Sequence, residues 1–202
     1  MPSLTLEQKL EQYHEFFAIE HEFSVNIKTI ESANQYSFDD FMAHMPTPFK
    51  LASDVNTVDQ SALRSIQGLG NNAEQLVSFL NHQSQKIDLL VGYILSQQDE
   101  DQFRFKGVKF GGGGIKFNAP TAFNIGDIIE LKIFLLDNNC ALYCFGEVIE
   151  VESVGKFFTH KTIFHFIREE DREILVRTSL HEQSKQLQKL AKSRNQASEQ
   201  SD

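Results

Sequence analysis

Two thiols, seven imidazoles, a run of four glycines and three knots of carboxylates are the groups in this sequence whose types and spacing invite chemistry. Cys140 and Cys144 stand in C-x3-C spacing with no second pair, a poor zinc pattern. A reactive thiol needs a partly exposed, electropositive setting, whereas these two share one face of an apolar alternation and read as core thiols. The histidines, His14, His21, His44, His82, His160, His165 and His181, contain no H-E-x-x-H and no short ligand pair, so no metal or cofactor is expected. Gly111-Gly112-Gly113-Gly114 would suit a phosphate cradle only as G-x-x-x-x-G-K-[S/T] leading into a helix. Here the run leads into Ile115-Lys116-Phe117, which predicts a hairpin needing positive φ or close backbone approach, with Gly111 and Gly114 as structural turn residues. The acids at Asp39-Asp40, Asp99 to Asp101 and Glu169 to Asp171 fall at breaks or helix starts, as caps and solvated turns do. No nucleophile, base and orienting group assemble from any motif, so no enzyme is expected.

The elements that would carry these residues follow from periodicity. Leu6, Leu10, Tyr13 and Phe17 recur at three and four, as in a short amphipathic helix. From Phe17 to Ile27 the period becomes two, predicting an extended segment able to add along a barrel edge or to serve as a docking arm. The stretch from Glu31 to Asp59 reads as a loop with one helical turn. Then Ile66, Leu69, Ala73, Leu76, Leu80, Gln83, Ile87, Leu90 and Ile94 alternate at three and four for roughly four heptads, a coiled-coil seam with Gln83 as its one polar member. Val77, Val91 and Leu95 widen the apolar face, and self-association through Leu76, Leu80, Gln83, Ile87, Leu90 and Ile94 is the preferred reading over packing within the chain.

Beyond Gln98-Asp99-Glu100-Asp101 the pattern turns to short strands: Phe103 to Phe110, Ile115 to Phe117, Ile129 to Leu135, Cys140 to Val151 with a bulge at Gly146, and Phe157 to Phe166. Turns are read at Asn124-Ile125-Gly126-Asp127 and Asp137-Asn138-Asn139. Ile174, Leu175, Leu180, Leu187 and Leu190 mark a last helix. The fold class is α+β: a small antiparallel barrel with a C-terminal helix over 101–190, preceded by an N-terminal helix, extended segment and loop over 1–58 and a heptad helix over 59–100. A disordered tail is expected over 191–202.

Charge and composition bound the partners. Twenty-eight acids against 19 bases give a net charge of −9, which opposes docking on phosphate backbones, so no nucleic acid is expected. No apolar run approaches the ~18 residues of a membrane helix. The acids in MPSLTLEQKLEQYHEF argue against a secretory signal, and a cytoplasmic location is expected. With 18 phenylalanines and no tryptophan, phenylalanine must fill much of the core.

Val108-Lys109-Phe110-Gly111-Gly112-Gly113-Gly114-Ile115-Lys116-Phe117, then Gly126-Asp127-Ile128-Ile129-Glu130-Leu131, Gly146-Glu147-Val148-Ile149, Phe164-His165-Phe166-Ile167 and Glu170-Asp171-Arg172-Glu173-Ile174 together resemble the PilZ domain family, from about Gln102 to Leu190. The heptad helix ahead of such a domain looks like the atypical, tetrameric branch of that bacterial family. The resemblance implies a tetramer, with a dimer as the alternative, and a place in cyclic dimeric GMP signalling that controls motility or virulence. Family members bind that nucleotide through R-x-x-x-R ahead of the first strand and [D/N]-x-S-x-x-G after it, where guanidinium groups pair with phosphates and stack on guanine. In this sequence Lys109 stands for the acid or amide and Gly111 for the serine; only Gly114 matches. Arg104 is followed four residues later by Val108. The resemblance therefore implies a non-catalytic adaptor with a degenerate nucleotide site, acting on other signalling proteins. The alternative is a receptor that binds cyclic dimeric GMP at a non-standard basic site made from Arg104, Lys106, Lys109 and Lys116.

Overall fold

The computed structural model describes residues 5–30, 36–52, 71–135 and 140–199. In chain order these form α1 (Leu6–Glu15), β1 (Ala18–Thr29), α2 (Phe38–His44), α3 (47–52), α4 (Asn71–Ser96), a 3-10 turn (Asp101–Phe103), β2 (Arg104–Gly111), β3 (Gly114–Ala119), β4 (Ile128–Leu135), β5 (Cys140–Val154), β6 (Phe157–Phe166) and α5 (Glu169–Glu199). The strands close an antiparallel barrel in the order β1-β2-β3-β6-β5-β4. The period-two segment thus does more than extend an edge. Ala18 to Asn26 pairs with β2 and Ser24 to Thr29 with β4, so β1 closes the ring and removes the open ladder that an edge would expose.

Alternation sorts the phenylalanines and their neighbours into two cores. Val25, Ile27, Phe110, Ile115, Phe117, Ile129, Leu131, Ile133, Leu142 and Cys144 fill the barrel. The alternate residues of β4 and β5, Ile128, Phe134, Ala141, Tyr143 and Phe145, point outward and are buried by Phe41, Met45 and Phe49 of the α2–α3 region and by Leu95 of α4. This outer core is why residues 36–52 are two helices where the sequence suggests a loop with one turn. Ser37 and Asp40 form a capping box, with the Asp40 N–H donating to Ser37 Oγ at 3.2 Å and the Ser37 N–H to Asp40 Oδ2 at 2.9 Å. Burial of Phe41 and Phe49 then supplies what local propensity does not. The expected turn at Asp137-Asn138-Asn139 and the seam residues Ile66 and Leu69 lie outside the described residues.

Thiol chemistry recedes with burial, which pushes Cys140 up to about 12 and Cys144 well above its ordinary value. One register shift falls between Phe145 and Gly146, where the sequence places a bulge, and a second lies between Val148 and Glu150. The last helix departs from expectation: α5 runs to Glu199, past the boundary at Leu190. Its final turns need no apolar stripe, because Gln, Lys and Ala are adequate helix formers.

Arg168 and Asp171 tie α5 to the outer core. The Arg168 guanidinium donates to Asp171 Oδ2 (Nε, 2.7 Å) and Oδ1 (Nη2, 3.0 Å), and Nη2 also reaches the Phe49 carbonyl at 2.8 Å.

Inside the barrel, His160 stacks on Phe117 with centroids 4.8 Å apart, and its Nε2 accepts from the Phe123 N–H at 3.0 Å. Burial lowers its pKa from 6.5, opposed by hydrogen bonding with the backbone of Phe158 and Phe117. A neutral native imidazole means that the unfolded chain binds the extra proton first. Stability is therefore full above pH 6.5 and lost as pH falls from there toward the lowered native value. Urea midpoints should drop between about pH 7.5 and about pH 5.5, and His160→Asn should flatten that dependence.

Candidate functional site

The glycine run is a place of close approach, and none of its four members has positive φ; among the described glycines that conformation belongs to Gly126 and Gly155. A Cβ on Gly111 would run into the Phe17 carbonyl, on Gly113 into the Tyr13 carbonyl, and on Gly114 into the Thr162 carbonyl. On Gly112 it would meet Phe16 and Val176. The α1–β1 junction and α5 therefore lie directly on the turn. Arg172 fixes this arrangement by donating from Nη1 to the Gly112 carbonyl at 2.6 Å while lying over the Phe16 ring at 5.3 Å.

Beside the turn, register builds a row of charges on the outer wall. Glu20 stands opposite Lys109, Lys109 opposite Lys116, Lys116 opposite Lys161, and Lys161 opposite Glu150. Three adjacent lysines repel one another, and the row is held by its acidic ends: Lys109 pairs with Glu20 at 3.5 Å and Lys161 with Glu150. Tyr13 of α1 covers the row. It is 3% exposed, its ring lies 5.5 Å from Lys161 Nζ, and its hydroxyl has no hydrogen-bond partner among the described residues. Burial raises its pKa, and Glu20 and Glu150 raise it further. An orphaned buried hydroxyl is costly, so Tyr13→Phe should stabilise the protein by about 1 kcal/mol in urea titrations.

Ahead of β2 the charge is acidic, and every acid is engaged. Asn26, 1% exposed, donates from Nδ2 to Asp99 Oδ1 at 2.8 Å and accepts the Glu100 N–H at 2.7 Å. Lys132 and Lys28 converge on Glu100 at 2.8 and 2.7 Å and pull its carboxyl down to about 2. Arg104 grips Asp99 at 2.9 Å and Asp101 at 2.6 Å. This network joins the end of α4 to β1, β2 and β4.

Of the four basic candidates, Lys109 and Lys116 thus meet in the lysine row, while Arg104 and Lys106 lie further along the same outer face. Each of Arg104, Lys106 and Lys109 is paired to a carboxylate, Lys106 to Glu22. Lys161, Tyr13, Glu20, Glu22 and Glu150 escape a reading of the sequence because they come from α1, β1, β5 and β6, whereas Asp99 and Asp101 stand beside Arg104 in the acidic break. The seam residues behave differently. On α4, Leu76, Ile87, Leu90 and Ile94 are exposed and Leu80 and Gln83 half-buried, as are the flanking Phe79 and Tyr93 exposed, whereas Leu95 is buried against the barrel and Val91 packs there in part.

Among the described residues the architecture is a closed six-stranded antiparallel barrel whose glycine turn is covered by α1 and α5 and whose outer core is packed by α2, α3 and the end of α4. The sequence profile of the PilZ domain family matches residues 77–180, just over half of the chain; the chain belongs to that family. Strand β1 lies outside the matched range yet completes the barrel. A Xanthomonas campestris pathogenic protein, reported as a new tetrameric PilZ domain self-assembled via an unusual helical bundle, is similar over 88% of this chain and 96% of its own, with 17% identity and a TM-score of 0.55. The Bacillus subtilis inhibitor of motility MotI/DgrA is similar over 41% of this chain and 42% of its own, with 16% identity and a TM-score of 0.39. No curated protein sequence matches. No described helix is long and apolar enough to cross a membrane.

Proposed function

We propose that this PilZ-domain protein is a non-catalytic signalling adaptor that self-associates through α4, has a degenerate cyclic dimeric GMP site and acts by protein contacts in motility or virulence control. The observation that carries the reading is the apolar face of α4. Leu76, Leu80, Gln83, Ile87, Leu90 and Ile94 occupy the core positions of a heptad, and Val77, Phe79, Val91 and Tyr93 the positions beside them. Apolar flanks favour more than two helices, because in larger bundles those positions are buried too. A tetramer is the fitted state, and the tetrameric X. campestris relative supports it.

The degenerate site rests on two features. Asp99, Glu100 and Asp101 stand ahead of β2, where the family's arginine pair would precede the first strand, and the glycine turn is filled from outside by α1 and α5. A phosphodiester brought there meets acids and finds the backbone covered. Light scattering on the full chain tests the assembly: four chain masses at micromolar concentration is the expected result, and a single chain mass overturns the reading.

A further inference from the structure

The last turns of α5 stand clear of the barrel. Leu175, Thr178, Ser179 and Glu182 are buried on the side that packs against it, and Gln186 Nε2 still donates to the Glu20 carbonyl at 2.9 Å, whereas residues 187–193 are exposed throughout. Three leucines share that exposure: Leu180 at 48%, Leu187 at 59% and Leu190 at 56%. The charge of this stretch is equally distinct. Between Glu182 and Glu199 the helix carries Lys185, Lys189, Lys192 and Arg194 and no acid, in a chain whose net charge is −9. Lys185 pairs with Glu182 at 2.7 Å, while Lys189 and Lys192 are exposed and make no ion pair among the described residues.

At about 100° per residue, Leu180, Leu187, Leu190 and Ala191 share one side of the helix and Lys185, Lys189 and Lys192 the other. Leu180 and Leu187 also lie away from the side that packs on the barrel. We propose that the end of α5 docks on an anionic lipid surface and lies flat in it, with Leu187 and Leu190 below the headgroups and Lys189 and Lys192 reaching up to them. A partner helix would cover the leucines and leave the lysines in water. A bilayer interface takes both, because lysine stems run through the apolar layer and lift their charge to headgroup level. Nucleic acid offers phosphates to the lysines but nothing to the leucines, and the acids of the rest of the chain repel it. The inference does not depend on α4 assembly, which light scattering reads separately.

Co-sedimentation of the full chain with vesicles of equal phosphatidylglycerol and phosphatidylcholine, and with vesicles of phosphatidylcholine alone, tests it. Binding to the anionic vesicles is expected to be at least about tenfold tighter than to the neutral ones and to weaken as salt is raised from about 0.05 M to about 0.5 M. Leu187→Gln with Leu190→Gln, and separately Lys189→Gln with Lys192→Gln, should each weaken it at least about tenfold. All four side chains are exposed, so neither variant threatens the fold. No sedimentation with the anionic vesicles, equal binding to the neutral ones, or unchanged binding in either variant overturns the inference, as does retardation of a DNA duplex without vesicle binding.

Discussion

Changing Leu80 and Ile87 together to Asp is expected to reduce the assembled protein to single chains while leaving the barrel folded. Each helix would bring two carboxylates into a seam from which water is excluded, and an unpaired buried charge costs several kcal/mol. Neither residue belongs to the two large cores, so the barrel loses nothing by the change. Light scattering should report one chain mass for the variant, with its near-ultraviolet dichroism retained. An unchanged mass would place the interface elsewhere than α4.

Arg168→Ala is expected to cost about 3–5 kcal/mol, the range found when one partner of a buried ion pair is removed. Asp171 is 2% exposed and would be left as a lone buried carboxylate, while the Phe49 carbonyl would lose its donor at the same time. Burial already raises the Asp171 pKa against the lowering influence of Arg168. Without Arg168 that carboxyl should take up a proton on folding, so the variant should recover part of the loss as the pH is lowered toward 5 or so. Urea titration reads both effects. A loss under about 1 kcal/mol would mean that water reaches the pair and replaces Arg168.

What was legible in the sequence was whatever a local period encodes. Cys140, Leu142 and Cys144 face the barrel interior, and Ala141, Tyr143 and Phe145 face outward, as strict alternation requires; Phe157 to Phe166 is a strand with those bounds. Phe17 to Ile27 reads as extended, but that it closes a ring depends on pairing with residues about 80 and 105 positions away, which no period records. The capping box of Ser37 and Asp40 marks the start of α2 alone, and what holds α2 and α3 is contact of Phe41 and Phe49 with Phe134, Tyr143, Phe145 and Phe166 on strands far along the chain. The same limit governs the candidate site. Asp99, Glu100 and Asp101 are visible as an acidic break, but their engagement by Asn26, Lys28 and Lys132 is not. The four glycines announce close approach without naming Tyr13, Phe17 and Thr162 as what approaches.

The claim that organises the account is that the family's nucleotide face is closed in this chain by its own acids, α1 and α5. Titration calorimetry with cyclic dimeric GMP on the full chain tests it most directly. The account predicts no binding heat at micromolar concentrations. Micromolar or tighter binding that disappears in the Arg104→Ala, Lys109→Ala double variant would contradict it and make those residues a working, if non-standard, nucleotide site.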